Sequence, residues 1–172
     1  MSHELFSSLD AFISLPSPPP LSVRENDGTY RPANDAELLR AAQRVLAGQL
    51  RGTDMLSAPA LVKDFLRVRL GALTHEVFAV IHLDRQHRLL DYVEMFRGTL
   101  TQTSVYPREV LKDVLVRNSA SVVMVHNHPS GDSKPSRADE ILTQMLRSAL
   151  AFIDVKVVDH MVVTSSGIMS MA

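Results

Sequence analysis

The chain has 172 residues, 45% of them hydrophobic and 22% charged, with a formal net charge of −1. Those values fit one compact domain with some appended sequence, exclude wholesale disorder, and leave no basic footprint for nucleic acid or an anionic membrane. With no cysteine and seven histidines, disulfides, thiolate–zinc sites, iron–sulfur ligation and a cysteine nucleophile are excluded. Any metal has to be held by histidine and carboxylate.

Residues 1–20 carry Glu4 and Asp10 where a signal peptide would be basic, so no secretory leader is expected. No stretch approaches the roughly 18 apolar residues of a membrane span. The expectation is a cytoplasmic protein. Phe6, Leu9 and Ile13 have near-helical spacing and allow either a short docking helix or a frayed terminus. Leu15 to Leu21 reads LPSPPPL, and the sequence stays polar and aperiodic to about Pro32. Residues 1–33 are therefore read as a proline-rich tail or linker.

Asn34 to Glu37 has the form of a capping box, and Leu38, Leu39, Ala42, Val45, Leu46 and Leu50 follow at helical spacing. This predicts a helix ending before Gly52, in an N-terminal helical segment over residues 34–57. A second helix is predicted from near Ser57, with Pro59 in its first turn, to Gly71. Its Lys63, Arg67 and Arg69 read either as a small basic face or as an ordinary solvated one.

Glu76 to Leu83 then reads as a strand, Asp84 to His87 as a turn and Leu89 to Phe96 as the hairpin partner. Pro107 opens a predicted helix through Val110, Leu111, Val114 and Leu115, and Tyr106-Pro-Arg108 reads either as fixing its start or as touching substrate. Ser121 to Val125 is a continuous apolar run, as a buried central strand should be. A turn-rich loop from Pro129 to Pro135 leads to a helix bearing Ile141, Leu142, Met145, Leu146 and Leu150. Two short strands, Val155 to Val158 and Met161 to Thr164, are predicted to close the domain, with a turn at Ser166-Gly167. His75, His82 and His87 are expected on strand or turn surfaces. Interleaved strands and helices with one hairpin predict an α/β fold built on a mixed sheet.

The chemistry is concentrated between Val125 and Asp139. His126 and His128 lie where the buried strand ends, and alternate residues of an extended chain point the same way. The Pro/Gly loop turns the chain back, so that Asp139 in the first turn of the next helix supplies a third ligand. Two histidines and a carboxylate, with a fourth position for water, form a catalytic rather than a structural zinc arrangement. A lone His-x-His arises by chance roughly 0.3 times in such a chain. Ser136-x-x-Asp139 by itself also reads as a capping box. The fixed offsets of strand, proline, serine and aspartate make the metal reading the stronger one. Asp159-His160, between two apolar runs, reads either as a pair that orients a ligand or as a satisfied structural pair.

His126-Asn-His-Pro129, followed by Ser136 and Asp139 and preceded by Glu76 on an upstream strand, resembles the JAMM motif of the JAB/MPN metallopeptidases. Val105 to Val110, His126 to Asp132, Pro135 to Asp139 and Asp159-His160 resemble the RadC-like branch of that family over about residues 58–172. The resemblance implies a three-layer α/β sandwich of the cytidine-deaminase-like kind with a Zn2+ site held by His126, His128 and Asp139. It implies Glu76 as the catalytic proton carrier and Ser136 as the hydroxyl beside the metal-bound water. The implied activity is hydrolysis of a peptide or isopeptide bond in a peptide or protein substrate, by a JAMM-type metalloprotease.

Two other readings are a catalytically idle MPN-type scaffold and a DNA-repair-associated RadC-like protein. The intact Glu, His, His, Ser and Asp set argues against the first. RadC-like proteins of full length carry a helix-hairpin-helix region that residues 1–57 do not convincingly supply, which resembles the short forms on mobile elements and argues against the second. The histidines of an HNH nuclease lie far apart in sequence, unlike these. A nucleoside deaminase needs cysteine ligands, and no Gly-x-Ser-x-Gly elbow is present.

Overall fold

The computed structural model describes residues 20–98 and 104–172. The helix considered around Phe6, Leu9 and Ile13 lies outside them. The described residues divide between Leu38 and Leu39 into two compact units.

In the first unit, the segment read as a tail contains a hairpin of β1 (Ser22–Arg24) and β2 (Tyr30–Pro32). The turn signal is Asp27-Gly28: Gly28 takes φ 87°, and the Asp27 carboxylate accepts the Thr29 amide at 2.9 Å. Arg31 holds both Glu37 carboxylate oxygens, at 2.7 and 2.8 Å. The predicted capping box forms: Asn34 and Glu37 exchange side-chain to backbone bonds of 3.0 and 2.9 Å at the start of α1 (Asp35–Leu50).

The second unit carries α2 (Pro59–Leu70), β3 (Val77–Leu83), β4 (Leu89–Arg97), α3 (Pro107–Val116), β5 (Ser121–Asn127), α4 (Arg137–Ala151), β6 (Lys156–Val163) and β7 (Ile168–Ser170). Pro59 and Pro107 occupy first-turn positions of α2 and α3, where a missing N–H costs nothing. The five strands lie in the order β4-β3-β5-β6-β7. Only β5 and β6 are parallel, joined through α4; every other pairing is antiparallel. The predicted mixed sheet is thus observed.

Strand alternation builds three layers. Val77, Ala79, Ile81, Val123 and Val125 face one way, against Leu50, Val62, Phe65, Leu66 and Leu70. Phe78, Val80, Val122 and Met124 face the other way, against Val110 and Val114 of α3 and Leu146 and Leu150 of α4. Each of these fully buried leucines contributes roughly 1.5–3 kcal/mol. The arrangement is the α/β sandwich expected of a JAB/MPN domain.

Three local readings need correction. His82 is fully buried rather than on a surface, because β3 is covered on both faces. Its Nδ1 pairs with Ser119 Oγ at 2.8 Å, and its Nε2 lies 2.9 Å from the Asp113 carboxylate. Arg69 does not join a basic face: its guanidinium lies over the rings of Phe65 and Tyr92, at 5.5 and 5.1 Å from their centroids. Finally, the two predicted closing strands are one strand, β6, and β7 follows the Ser166-Gly167 turn.

The reason for that last difference bears on the site. Val122 pairs with Val157, but Val123 pairs with Asp159, so Val158 is an extra residue in β6. A bulge of this kind shifts the alternation by one. It puts Val157 and His160, three residues apart, on the same face, and Met124 pairs with His160.

Candidate metal centre

His126 is the penultimate residue of the fully buried β5, His128 follows the strand's end, and Asp139 sits in the first turn of α4. Between them Gly131 takes φ 84° and donates its amide to the His128 carbonyl at 3.1 Å. That left-handed conformation suits glycine and turns the loop back on the strand end. Antiparallel pairing of Phe78 with His126 brings the residues just before β3 alongside the same strand end. Glu76, His126, His128, Ser136 and Asp139 consequently line one cleft of about 650 Å³, with Phe78, Val105 and Leu142 as apolar wall. The five residues singled out from sequence are all brought together.

One ligand atom from each of His126, His128 and Asp139 lies within 4.8 Å of the other two. The Nε2 atoms of the two histidines are 3.0 Å apart. Asp139 Oδ1 is 3.3 Å from His126 Nε2, and Oδ2 is 3.5 Å from His128 Nε2. His128 Nδ1 lies 2.7 Å from the Asp132 carbonyl, which only accepts. Its Nδ1 therefore carries the proton, and its Nε2 presents a lone pair to the centre. Nitrogen and carboxylate acceptors this close repel one another, and a shared cation relieves that repulsion. An N, N, O donor set at the end of a buried strand fits a divalent metal.

Asp139 serves a second purpose. Ser136 donates its hydroxyl to Asp139 Oδ2 at 2.6 Å and its amide at 2.7 Å, while the Asp139 amide donates to Ser136 Oγ at 3.2 Å. The capping box and the ligand cluster are thus one object, and the two readings of Ser136-x-x-Asp139 do not compete. Burial works to raise the Asp139 carboxyl, but the neighbouring His126 ring and the Ser136 hydroxyl and amide hold it well below the usual carboxylate range.

Asp159-His160 splits into two roles. The Asp159 carboxylate accepts the His160 amide at 2.7 Å and the Ser170 hydroxyl at 2.9 Å. The His160 ring instead faces the centre, with Nε2 2.8 Å from His126 Nδ1 and Nδ1 2.6 Å from Thr143 Oγ. Thr143 in turn donates to the Asp139 carbonyl at 2.6 Å. Phe78 packs edge-on against His160, with centroids 5.9 Å apart. Burial pushes His160 down to about 3.

Sequence reasoning missed Thr143 and Asn127. Asn127, buried between the two histidines, accepts the Val77 amide at 2.7 Å and donates to the His75 carbonyl at 3.0 Å. The available signals were an amide in an otherwise apolar strand and a threonine four residues after Asp139. Among the described residues, no helix is long and apolar enough to cross a membrane.

Comparison with protein families matches residues 56–172 to the RadC-like JAB domain. Among curated proteins, a UPF0758 protein of a Polaromonas species is 51% identical over 175 residues, 100% of this chain and 78% of that protein. A UPF0758 protein of Leptothrix cholodnii is 55% identical over 144 residues, 82% of this chain and 65% of that protein. One from Aromatoleum aromaticum is 52% identical over 128 residues, 74% of this chain and 57% of that protein. The chain therefore spans between 57% and 78% of the length of these relatives.

Proposed function

The chain belongs to the RadC-like JAB domain family, and from that premise we propose that it is a zinc-dependent hydrolase of the JAMM type. The proposed reaction is cleavage of a peptide or isopeptide bond in a peptide or protein substrate. The observation that carries this reading is the convergence of two imidazole nitrogens and a carboxylate in the cleft that Glu76 also lines.

His126, His128 and Asp139 would hold the metal. Zinc bound there supplies a Lewis acid and lowers the pKa of a bound water towards about 7. Glu76 takes the proton of the attacking water and passes it to the leaving amine. The Ser136 hydroxyl turns from Asp139 to donate to the oxyanion that develops on the attacked carbonyl. Phe78, Val105 and Leu142 form the apolar wall of the cleft, which limits competing water around the reacting bond. The N, N, O donor set and the family membership favour a metal-dependent hydrolase over nucleic-acid processing, for which the net charge of −1 offers no support.

The test is a paired measurement of metal content and turnover on the full chain. Wild type is expected to hold about one zinc per chain and to cleave members of a peptide and isopeptide panel. Glu76→Gln should retain the zinc and lose turnover, and His128→Ala should lose both. Zinc binding without turnover of any panel member would favour the idle-scaffold reading. Equal metal content in wild type and His128→Ala would remove the site altogether.

A further inference from the structure

We propose that Thr143 and His160 are positioning residues that fix the tautomer of His126 from the main chain of Asp139, so that one ligand orients another. This rests on the metal-centre reading above and extends it to residues outside the ligand set.

Thr143 has one hydroxyl proton. The Asp139 carbonyl, 2.6 Å away, only accepts, so that proton is committed to it. The Thr143 oxygen then meets His160 Nδ1 at 2.6 Å as an acceptor, and the ring has to donate. A ligating His126 presents its Nε2 lone pair to the centre, and only one proton fits in the 2.8 Å between His160 Nε2 and His126 Nδ1. A neutral imidazole has a single N–H, which leaves His160 Nε2 as an acceptor. His126 Nδ1, 2.8 Å from it, therefore carries the proton. The His126 lone pair is confined to Nε2, the atom 3.0 Å from His128 Nε2 and 3.3 Å from Asp139 Oδ1. His128 reaches the same tautomer through the Asp132 carbonyl.

Two features separate this from an ordinary satisfied core histidine. The network is closed: it begins on the backbone of one candidate ligand and ends on the ring of another. It also depends on a local irregularity, because the extra residue Val158 is what turns His160 onto the face of Met124 and His126. Thr143 and His160 are both buried, so water does not compete for these bonds. A fully connected buried network of this kind fixes geometry, and partners of ligating histidines set ring orientation and basicity.

The test uses the full chain as wild type, Thr143→Val, which keeps the side-chain shape, and Thr143→Ser, which keeps the hydroxyl. Histidine tautomers are read in the metal-free protein at pH 8 by long-range proton–nitrogen correlation spectroscopy. Zinc affinity is read by competition with a chromophoric chelator. His126 is expected as the Nδ1–H tautomer in wild type and Thr143→Ser, and as a mixture in Thr143→Val. Thr143→Val should bind zinc roughly 10–100-fold more weakly, with Thr143→Ser within about threefold of wild type. An Nε2–H tautomer of His126 in the wild-type protein overturns the proposal, whether or not the valine variant folds. So does a folded Thr143→Val with unchanged tautomer and zinc affinity. A wild-type chain that binds no zinc overturns the metal-centre reading instead, and the tautomers then decide the relay alone.

Discussion

Asn127 clasps the backbone on both sides of Glu76. Its Oδ1 accepts the Val77 amide at 2.7 Å and its Nδ2 donates to the His75 carbonyl at 3.0 Å. The residue between the two histidines thereby sets where the carboxylate lies relative to the strand that carries them. Removing the amide leaves the buried Val77 amide and the half-buried His75 carbonyl without this partner, at a cost of about 1–3 kcal/mol for the buried amide. Asn127→Ala should therefore lower the urea midpoint. It should also reduce turnover at least tenfold while zinc content stays near wild type, since neither histidine loses its ring contacts. Turnover that survives unchanged in a folded Asn127→Ala would show that the clasp does not position Glu76.

Ser136 should prove to have two separable jobs. As the cap of α4 it is worth about 0.5–2 kcal/mol to the fold, with or without metal. As an oxyanion donor its removal should lower kcat about 100-fold or more. Ser136→Ala measured in excess chelator isolates the first effect, and turnover of the zinc-loaded protein reads the second. A stability loss with kcat intact would assign Ser136 to the cap alone.

The proposed ligands and Ser136 were legible in the sequence because they sit at fixed offsets on short, strongly signalled pieces of chain. Glu76 instead entered through the family resemblance, and it reaches the cleft by the pairing of β3 with β5. His126 and His128 share one side of a strand end, and Ser136 and Asp139 begin a helix; neither depends on distant pairing. His160 and Asn127 are different. The face that His160 presents is decided by the bulge at Val158, which exists only in the pairing of β5 with β6. No period within β6 itself encodes that shift, which is why the strand read as two. The partners of Asn127 lie 50 and 52 residues away in sequence, and no local pattern announces them. His82 was misplaced for a related reason: a polar residue in an apolar run looks like a surface position until Ser119 and Asp113 are brought beside its ring by the following elements. The hairpin at Asp27-Gly28 was short enough for the preceding prolines to mask it.

The buried histidines predict an acid-sensitive fold. Burial lowers His82 below the ordinary histidine value, with Asp113 partly opposing, and holds His160 at about 3. In the unfolded chain both rings protonate near pH 6.5. Below that pH the unfolded state binds protons that the folded state does not, so stability is full above about pH 6.5 and declines as the pH falls towards 3. Each ring contributes a slope of at most about 1.4 kcal/mol per pH unit. Urea midpoints between pH 8 and 5, taken in chelator, should fall with pH. His82→Gln should be less stable at pH 8 but show the shallower slope. Parallel slopes for the two proteins would mean that His82 does not titrate on unfolding in this range.

Metal binding should be visible as stability, independently of any substrate. In the metal-free protein the lone pairs of the His126 and His128 Nε2 atoms, 3.0 Å apart beside the Asp139 carboxylate, oppose one another. A divalent ion removes that opposition and binds only the folded arrangement, since the three ligands come from a strand end and a helix start. Zinc at about 100 times its dissociation constant should then stabilise the fold by about 2.7 kcal/mol. The expected readout is a rise in thermal midpoint on adding zinc at pH 7.5, reversed by chelator. The rise should shrink as the pH drops, because protons compete for the same nitrogens. His128→Ala should abolish it, while Glu76→Gln should preserve it, because Glu76 lies outside the ligand set. A zinc-dependent rise of equal size in His128→Ala would locate the ion elsewhere on the chain and remove the metal centre proposed for this cleft.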